Sequence, residues 1–359
     1  MKKHNILIFI LLYATCYMVS AQKFIYNIDF TSYFDNREYH EPLQTPQTIF
    51  ALRLSPEIGL QITDKANGIH RIIAGAHYTQ PFGSNFREAR LQPTAFYQYR
   101  WHGYALLLGI APTKHRIEPL PDFLNYDSIN YAEPNLRGAL LQYCSKHGCA
   151  EFMCDWRGMQ TPMRREMFRL VLNGHYRYTG LFTYFIGGIA QINHKANYAK
   201  PTPREGVCDD IYISPNIGVD FAPALPLDSL SLRASYIIAY QTERINEDRR
   251  IPQGLLLEFF ARWRFLGLKN TLYVGQNLMP FYATYGPDLN QGDPFYQSPC
   301  YNRTDLFIYL VRRSFVNCYF SWNLHAVQGQ TLQHQQQLIV HFSLDGLHRK
   351  QLLRGLFDK

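Results

Sequence analysis

Alternate residues along much of this chain fall into two rows, one apolar and one polar. From position 89 to 101 the apolar row is Ala89, Leu91, Pro93, Ala95, Tyr97, Tyr99 and Trp101, and the other row is Arg90, Gln92, Thr94, Phe96, Gln98 and Arg100. Successive side chains of a β-strand point to opposite faces. The pattern therefore predicts a strand with one apolar face and one polar face.

The same alternation predicts about sixteen strands, within a range of about fourteen to eighteen because strand boundaries drift in sequence-based assignment. The segments are 24–33, 47–63, 67–79, 88–101, 103–116, 135–144, 148–157, 164–177, 180–193, 210–222, 228–241, 254–265, 269–278, 303–313, 316–327 and 333–344. Long and short connections alternate between them. That rhythm is typical of an antiparallel up-and-down β-barrel, with lipid outside and a polar lumen inside.

A secreted β-sandwich with the apolar rows packed inside is the alternative fold. Apolar rows that end in aromatic residues, such as Tyr99, Trp101 and Trp263, favour the barrel because they match the girdles at a lipid boundary. A sandwich also gives no reason for the alternating connection lengths, and no linker between two soluble domains is visible. The sequence thus predicts an all-β transmembrane barrel.

Three segments are expected. Residues 1–21 have the features of a secretory signal peptide, with Lys2 and Lys3 before an apolar run and small residues before Gln22. Residues 22–344 form the barrel, and residues 345–359 form a basic periplasmic tail. After the signal, no apolar run reaches the roughly 18 residues that a spanning helix needs. The predicted location is the bacterial outer membrane, with both termini in the periplasm.

Charge and cysteine content narrow the function classes. The chain carries 36 Lys and Arg against 28 Asp and Glu. The signal contains two of the lysines, so 34 against 28 leaves +6. The surplus is mostly Arg within alternating strands, which argues against a nucleic-acid partner. Six cysteines follow the signal; Cys144 and Cys149 flank a predicted hairpin turn, Cys208 and Cys300 could pair, and unpaired thiols are favoured.

Several short motifs resemble outer-membrane β-barrel proteins of the Bacteroidetes type. They are Arg53-Leu54-Ser55-Pro56-Glu57-Ile58-Gly59, Asp155-Trp156-Arg157-Gly158-Met159-Gln160 with Arg164-Arg165-Glu166, Gly292-Asp293-Pro294-Phe295-Tyr296, the stretch 301–310 and Gln335-Gln336-Gln337-Leu338. The resemblance spans most of the mature chain. It implies the same fold and location, and it brings no activity or functional residue.

Inward-facing charges are the candidate functional residues. The predicted lumen and selectivity set is Arg53, Glu57, Arg90, Arg100, Asp155, Arg157, Arg165, Arg169, Arg233, Glu258, Arg262 and Arg264, and the predicted loop-binding set is Tyr126, Asp127, Asp293 and Tyr296. Such charges either form ion pairs that stabilise the polar inner wall or line a conduction path. The loop aromatics either bind a carbohydrate or tether the mouth of the barrel.

These features predict porin-like passage of small polar solutes, anionic or sugar-like, through a barrel in contact with outer-membrane lipid. No enzyme activity, cofactor or metal is expected. The alternative is a closed barrel that docks a partner such as a lipoprotein, or a membrane-embedded hydrolase. Ser321, Asn323 and His325 share one strand face and suggest a hydrolase set. Residues two apart on a strand lie about 7 Å apart, too far for a nucleophile and its base.

Overall fold

The computed structural model describes residues 22–199, 206–222 and 225–344. The predicted signal peptide and basic tail lie outside these residues. Within the described ranges, no helix is long and apolar enough to cross a membrane.

In the part of the chain that the structure describes, seventeen antiparallel strands form one closed sheet. They are β1 (Gln22–Glu38), β2 (Gln47–Thr63), β3 (Ile69–Pro81), β4 (Arg90–Trp101), β5 (Tyr104–Pro112), β6 (Asn135–Ser145), β7 (Gly148–Gly158), β8 (Met167–Thr179), β9 (Thr183–Lys195), β10 (Cys208–Asp220), β11 (Ser229–Glu243), β12 (Asp248–Arg250), β13 (Gln253–Trp263), β14 (Leu266–Gly275), β15 (Cys300–Arg312), β16 (Val316–Val327) and β17 (Gln333–Ser343). Strands β1 to β11 pair in sequence order, β11 pairs with both β12 and β13, β13 to β17 again pair in order, and β1 pairs with β17 to close the barrel.

The short strand β12 does not add a wall position. It pairs with the end of β11, and β13 pairs with the rest of β11. Pro252, which has no backbone N–H to donate, lies between β12 and β13 and interrupts what is otherwise one strand. The barrel therefore has sixteen wall positions, and the predicted fold is confirmed.

The two faces of the wall follow the predicted alternation. On β2, Phe50, Ile58 and Leu60 are about half exposed on the outside, whereas Ser55 and Glu57 are buried inside. Exposed apolar side chains continue around the barrel, for example Leu172 and Ile186. A contiguous apolar exterior of this extent is the surface that a lipid bilayer covers.

The connections have two lengths, so the barrel has two different rims. Tight turns, such as the one at His102 and Gly103, join strands at the short-turn rim, where both residues take positive φ angles. Longer connections leave the opposite, long-loop rim, including residues 113–134 and 276–299. Helix α1 (Asp127–Ala132) lies in the first of these connections and α2 (Tyr282–Tyr285) lies in the second.

One disulfide crosses a hairpin. Cys144 and Cys149 are directly opposite on β6 and β7, with their Cα atoms 4.2 Å apart, and they are bonded. The expectation of unpaired thiols is wrong for this pair, because the tight turn brings the two positions into register. Cys208 and Cys300 are both free thiols.

Candidate functional site

Two long connections occupy the interior of the barrel. The first inserted loop (113–134) and the second inserted loop (276–299) meet through backbone hydrogen bonds: Tyr126 N donates to Gln291 O at 3.0 Å, and Asp293 N donates to Asp122 O at 2.8 Å. Phe123 and Tyr296, one from each loop, are both 1% exposed and belong to one apolar cluster. The interior thus contains a packed core where an open channel would contain water.

The first inserted loop is held by ion pairs to the wall. Lys114 pairs with Asp29 on β1 and with Glu57 on β2. Arg116 pairs with Glu151 on β7 at 2.8 Å. Burial alone would lower the pKa of Lys114, but Glu57 and Asp29 raise it above its ordinary value. The loop is therefore fastened to opposite parts of the wall by charges that are already compensated.

The second inserted loop is held mostly by neutral and charge-assisted hydrogen bonds. Tyr212 OH on β10 donates to Leu278 O at 2.8 Å, and Asn290 Nδ2 donates to Asp210 Oδ2 at 2.5 Å. Lys195, at the end of β9, pairs with Asp288. These contacts anchor the loop against the side of the barrel formed by β9, β10 and β11.

Arg303 on β15 is the centre of the largest buried charge cluster described between wall and loops. Its guanidinium lies 2.7 Å from Asp305, 3.4 Å from Asp122 and 3.9 Å from Asp127. Lys269 on β14 lies 3.5 Å from the same Asp122 carboxylate. Burial alone would raise the pKa of Asp122, but Lys269 and Arg303 lower it below its usual range.

The predicted lumen residues fall into several environments. Asp155 and Arg169 form a buried ion pair at 3.2 Å, and Arg169 also donates to Gln291 of the second inserted loop. Arg53 donates to Tyr131 O of the first inserted loop. Glu57 and Arg262 are buried in the interior, and Arg100, Arg233 and Glu258 are half-buried.

Other members of the predicted set lie at the rims. Arg157 donates to the carbonyls of Pro287 and Asp288, and Arg165, in the connection after β7, donates to Ala196 O. Arg90 is exposed at the start of β4. Arg264 differs from its predicted lumen position: it adopts a positive φ in the tight β13–β14 turn, and its guanidinium lies over the Trp263 ring.

The four predicted loop-binding residues are inside the barrel. Asp293 and Tyr296 are 2% and 1% exposed. Tyr126 contacts the second inserted loop through Gln291 O, and Asp127 lies 3.9 Å from Arg303 of the wall. This placement matches the tethering alternative for the loop aromatics. Ser321, Asn323 and His325 are each bonded elsewhere: Ser321 and Asn323 donate to Gln337, and His325 pairs with Tyr301 at 2.7 Å.

Asp293 makes the second inserted loop sensitive to pH. Burial raises the pKa of Asp293 to about 7, although Phe295 N donates to its carboxyl. The folded loop then holds a proton that the free carboxyl loses near pH 4, so attachment weakens progressively as pH rises from about 4 to about 7 and is constant above that. The difference of about 3 pKa units corresponds to at most about 4 kcal/mol.

We expect Asp293→Asn to make loop attachment independent of pH between 5 and 8, because the amide oxygen still accepts from Phe295 N and from Gln44. Limited proteolysis of 276–299 in parallel wild-type and variant samples at each pH measures this. Thr284→Ala, at an exposed position of the same loop, serves as the control and should keep the pH dependence of the wild type. The quantity to compare is the rate of proteolysis of wild type divided by that of Asp293→Asn. If this ratio is the same at pH 5 and pH 8, the expectation is contradicted.

A second polar group lies outside the barrel, at the long-loop rim. Cross-strand pairing places Trp156, Phe168, His194, Asp209, Thr242 and Arg249 side by side on β7, β8, β9, β10, β11 and β12; we call them the outer-wall row. All six occupy outward positions. The exposed apolar side chains around the outside of the barrel form an apolar belt. The outward row next to the outer-wall row, on the side of this belt, contains Leu170, Ile192, Ile211 and Tyr240.

The centre of the outer-wall row is a His–Asp pair. His194 Nδ1 lies 2.6 Å from Asp209 Oδ1, and Arg244 donates to the other carboxylate oxygen at 2.8 Å. The His194 ring also stacks on Phe168 at 4.8 Å between centroids. A histidine held at Nδ1 by a carboxylate presents Nε2 as a base, which is the arrangement that hydrolases use to activate a nucleophile.

Sequence reasoning missed this pair by one residue on each strand. The predicted strands ended at 193 and began at 210, so His194 and Asp209 were assigned to the connecting loop. One signal in the sequence could have found them. Each is a polar residue that continues the outward apolar row of its strand by one position, His194 before and Asp209 after the same long connection.

The fold and these sites define a membrane-spanning β-barrel with an occupied interior and a His–Asp pair on its outer wall. The chain belongs to the lipid A 3'-O-deacylase-type family, whose profile matches residues 18–353. The prediction that the protein is not an enzyme is wrong, because this family is named for an enzymatic activity. No curated protein matches the chain significantly.

Solved structures similar to this chain include barrels of Pseudomonas aeruginosa. OpdK matches with a TM-score of 0.53 and 8% identity over 90% of this chain and 98% of that one. OpdL matches with 0.51 and 12% over 90% and 99%, and OccK11 (OpdR) with 0.51 and 10% over 89% and 96%. At these identities the similarity concerns the fold alone, and it confirms the predicted resemblance to outer-membrane barrels in fold.

Proposed function

We propose that this protein is an outer-membrane hydrolase that removes an ester-linked acyl chain from lipid A, with His194 and Asp209 at its active site. The observation that carries the proposal is the 2.6 Å His194–Asp209 contact on the lipid-facing wall. Family membership supplies the class of substrate. The apolar belt supports an outer-membrane location, with the long-loop rim outside the cell and the termini in the periplasm.

The position of the pair suits a lipid substrate. Outward side chains below it, including Ile213 and Ile238, are apolar and exposed, so they can contact acyl chains. Arg244 and Arg249 lie at the rim side, where the headgroup of a lipid in the adjacent leaflet would be. An ester near the boundary between headgroup and chains would then be level with His194.

The chemistry requires one water molecule per ester. Asp209 accepts a hydrogen bond from His194 Nδ1–H and fixes the tautomer, which leaves Nε2 unprotonated. Nε2 removes a proton from water as the water oxygen attacks the ester carbonyl. The protonated imidazole then donates that proton to the departing sugar oxygen, and the products are a fatty acid and a free hydroxyl.

Mass spectrometry of lipid A tests the proposal. Lipid A from bacteria that express the full chain is expected to contain a species that lacks one acyl chain, at the mass of hydrolysis. Unchanged lipid A, with the folded barrel present in the outer membrane, contradicts the proposal.

Passage of small polar solutes is the second candidate function. The charged interior supports it, since Asp29 and Glu57 lie on the inner wall and pair with Lys114 of the first inserted loop. The packed contact between the inserted loops opposes it, because a solute has to displace Phe123 and Tyr296. In planar bilayers we expect the purified wild-type barrel to be closed; a steady open conductance would favour passage.

A further inference from the structure

Three inward side chains on different strands form a continuous hydrogen-bonded chain. Ser55 Oγ lies 2.6 Å from His77 Nδ1, and His77 Nε2 lies 2.9 Å from Asn135 Oδ1. Ser55 belongs to β2, His77 to β3, and Asn135 is the first residue of β6. The three side chains are buried, at 5%, 5% and 6% exposure.

Local backbone structure explains why Ser55 faces His77. The pairing of β2 with β3 includes Leu54 with Tyr78 and Glu57 with Gly75, and Ser55 lies opposite His77 in the same register. Pro56 cannot donate a ladder hydrogen bond, so the sheet is interrupted beside Ser55. Directly opposed side chains on one face are close enough to hydrogen-bond.

The hydrogen-bond directions are those of a nucleophile and its base. Asn135 Oδ1 can only accept, so His77 Nε2 carries the proton and donates it. His77 Nδ1 is then unprotonated and accepts from the Ser55 hydroxyl. A serine bonded to a histidine that a third group orients is the arrangement that activates serine for acyl transfer.

Unsatisfied polar atoms lie next to Ser55. The backbone around them is tightly packed: a Cβ at Gly75 would lie 2.3 Å from Pro56 O and 3.0 Å from Glu57 Cγ and Thr94 Oγ1, so only glycine fits there. Asp29 Oδ1, Glu57 Oε1 and Thr94 Oγ1 are buried without a hydrogen-bond partner among the described residues. Buried polar atoms of this kind bind water or a ligand.

We propose that Ser55, His77 and Asn135 form a second hydrolytic site, inside the barrel, that cleaves small carboxylic esters. Its reaction is separate from the lipid A reaction on the outer wall. The burial of Ser55 and His77 limits the substrate to a small ester, and the surrounding wall excludes a lipid.

The reaction proceeds by covalent catalysis. Ser55 Oγ attacks the ester carbonyl while His77 Nδ1 takes the hydroxyl proton, and the alcohol leaves with that proton. Water, held by the unpartnered oxygens of Asp29, Glu57 and Thr94, then loses a proton to His77 and attacks the acyl-Ser55 ester. The carboxylic acid departs, Ser55 regains its proton, and one ester and one water give one acid and one alcohol.

A small fluorophosphonate probe tests the site on the full-length, folded barrel. We expect covalent labelling of the peptide that contains Ser55, no label at that peptide in Ser55→Ala, and labelling at least about 100-fold slower in His77→Ala. Ser321→Ala, at a buried inward serine that donates to Gln337, is the matched control and should label normally at Ser55.

Absence of label at Ser55 in a folded wild-type barrel overturns the proposal, as does equal labelling of wild type and His77→Ala. Gel mobility of unheated samples shows that each variant is folded. The result is independent of the lipid A assay: loss of lipid A activity in His194→Ala leaves Ser55 labelling intact, and loss of Ser55 labelling leaves lipid A hydrolysis intact.

Discussion

Replacing His194 with alanine is expected to lower the rate of lipid A deacylation by about 10²–10⁴-fold, the usual contribution of a general base. The imidazole is bonded to Asp209 at 2.6 Å on the outer wall, so its removal leaves no base at that position of the row. Asp209→Asn should cause a loss of similar size, because an amide can donate to Nδ1 and favour the wrong tautomer. The ratio of deacylated to intact lipid A, measured by mass spectrometry, reports both.

His334→Ala is the matched control for this experiment. His334 also lies on an outward position near the long-loop rim, but its ring pairs with Gln336 and not with a carboxylate. It should leave deacylation unchanged. If His194→Ala and wild type have equal activity at equal amounts of folded barrel, His194 is not the general base and the proposed mechanism is contradicted.

Replacing Arg303 with leucine is expected to destabilise the barrel and release the first inserted loop. The guanidinium is 9% exposed and compensates Asp305, Asp122 and Asp127. Removing one partner from a buried charge cluster costs about 3–5 kcal/mol, because the remaining charges are left in a poorly solvated site. Lys269 compensates only part of the loss, since it contacts Asp122 alone within the cluster.

Denaturant unfolding in detergent measures the stability change, and bilayer recording measures the release of the loop as new conductance. Arg137→Leu is the control, because its ion pair with Glu133 is exposed on both sides and such pairs contribute at most about 1 kcal/mol. If the two variants lose the same small amount of stability, Arg303 does not hold the loop.

The sequence predicts the wall of this barrel closely and its contents poorly. The alternation that identifies β2 and β16 depends on neighbouring residues along the chain, and both strands have the predicted bounds. The insertion of residues 113–134 and 276–299 depends on contacts between distant segments, such as Asp293 with Asp122. Composition alone does not distinguish a loop that extends into solvent from one that folds into a lumen.

The hydrolytic candidates show the same limit. Ser321, Asn323 and His325 attract attention because they are close in sequence, yet strand geometry keeps them apart. Ser55 and His77 are separated by a turn and face each other because the register places them opposite, and Asn135 joins them across the interior. Pairing register, which depends on turn geometry as well as on the alternation within each strand, decides which polar residues meet.

The contact between β1 and β17 has a consequence for biogenesis. Asp29 pairs with Ser343 and Glu38 with His334, so the seam joins segments from nearly opposite ends of the described chain. Until the final hairpin has been made, both seam strands expose unpaired backbone groups, and such edges recruit other chains. The barrel can therefore close only after β17 has been made, and until then the free edge of β1 has to be kept from pairing with other chains.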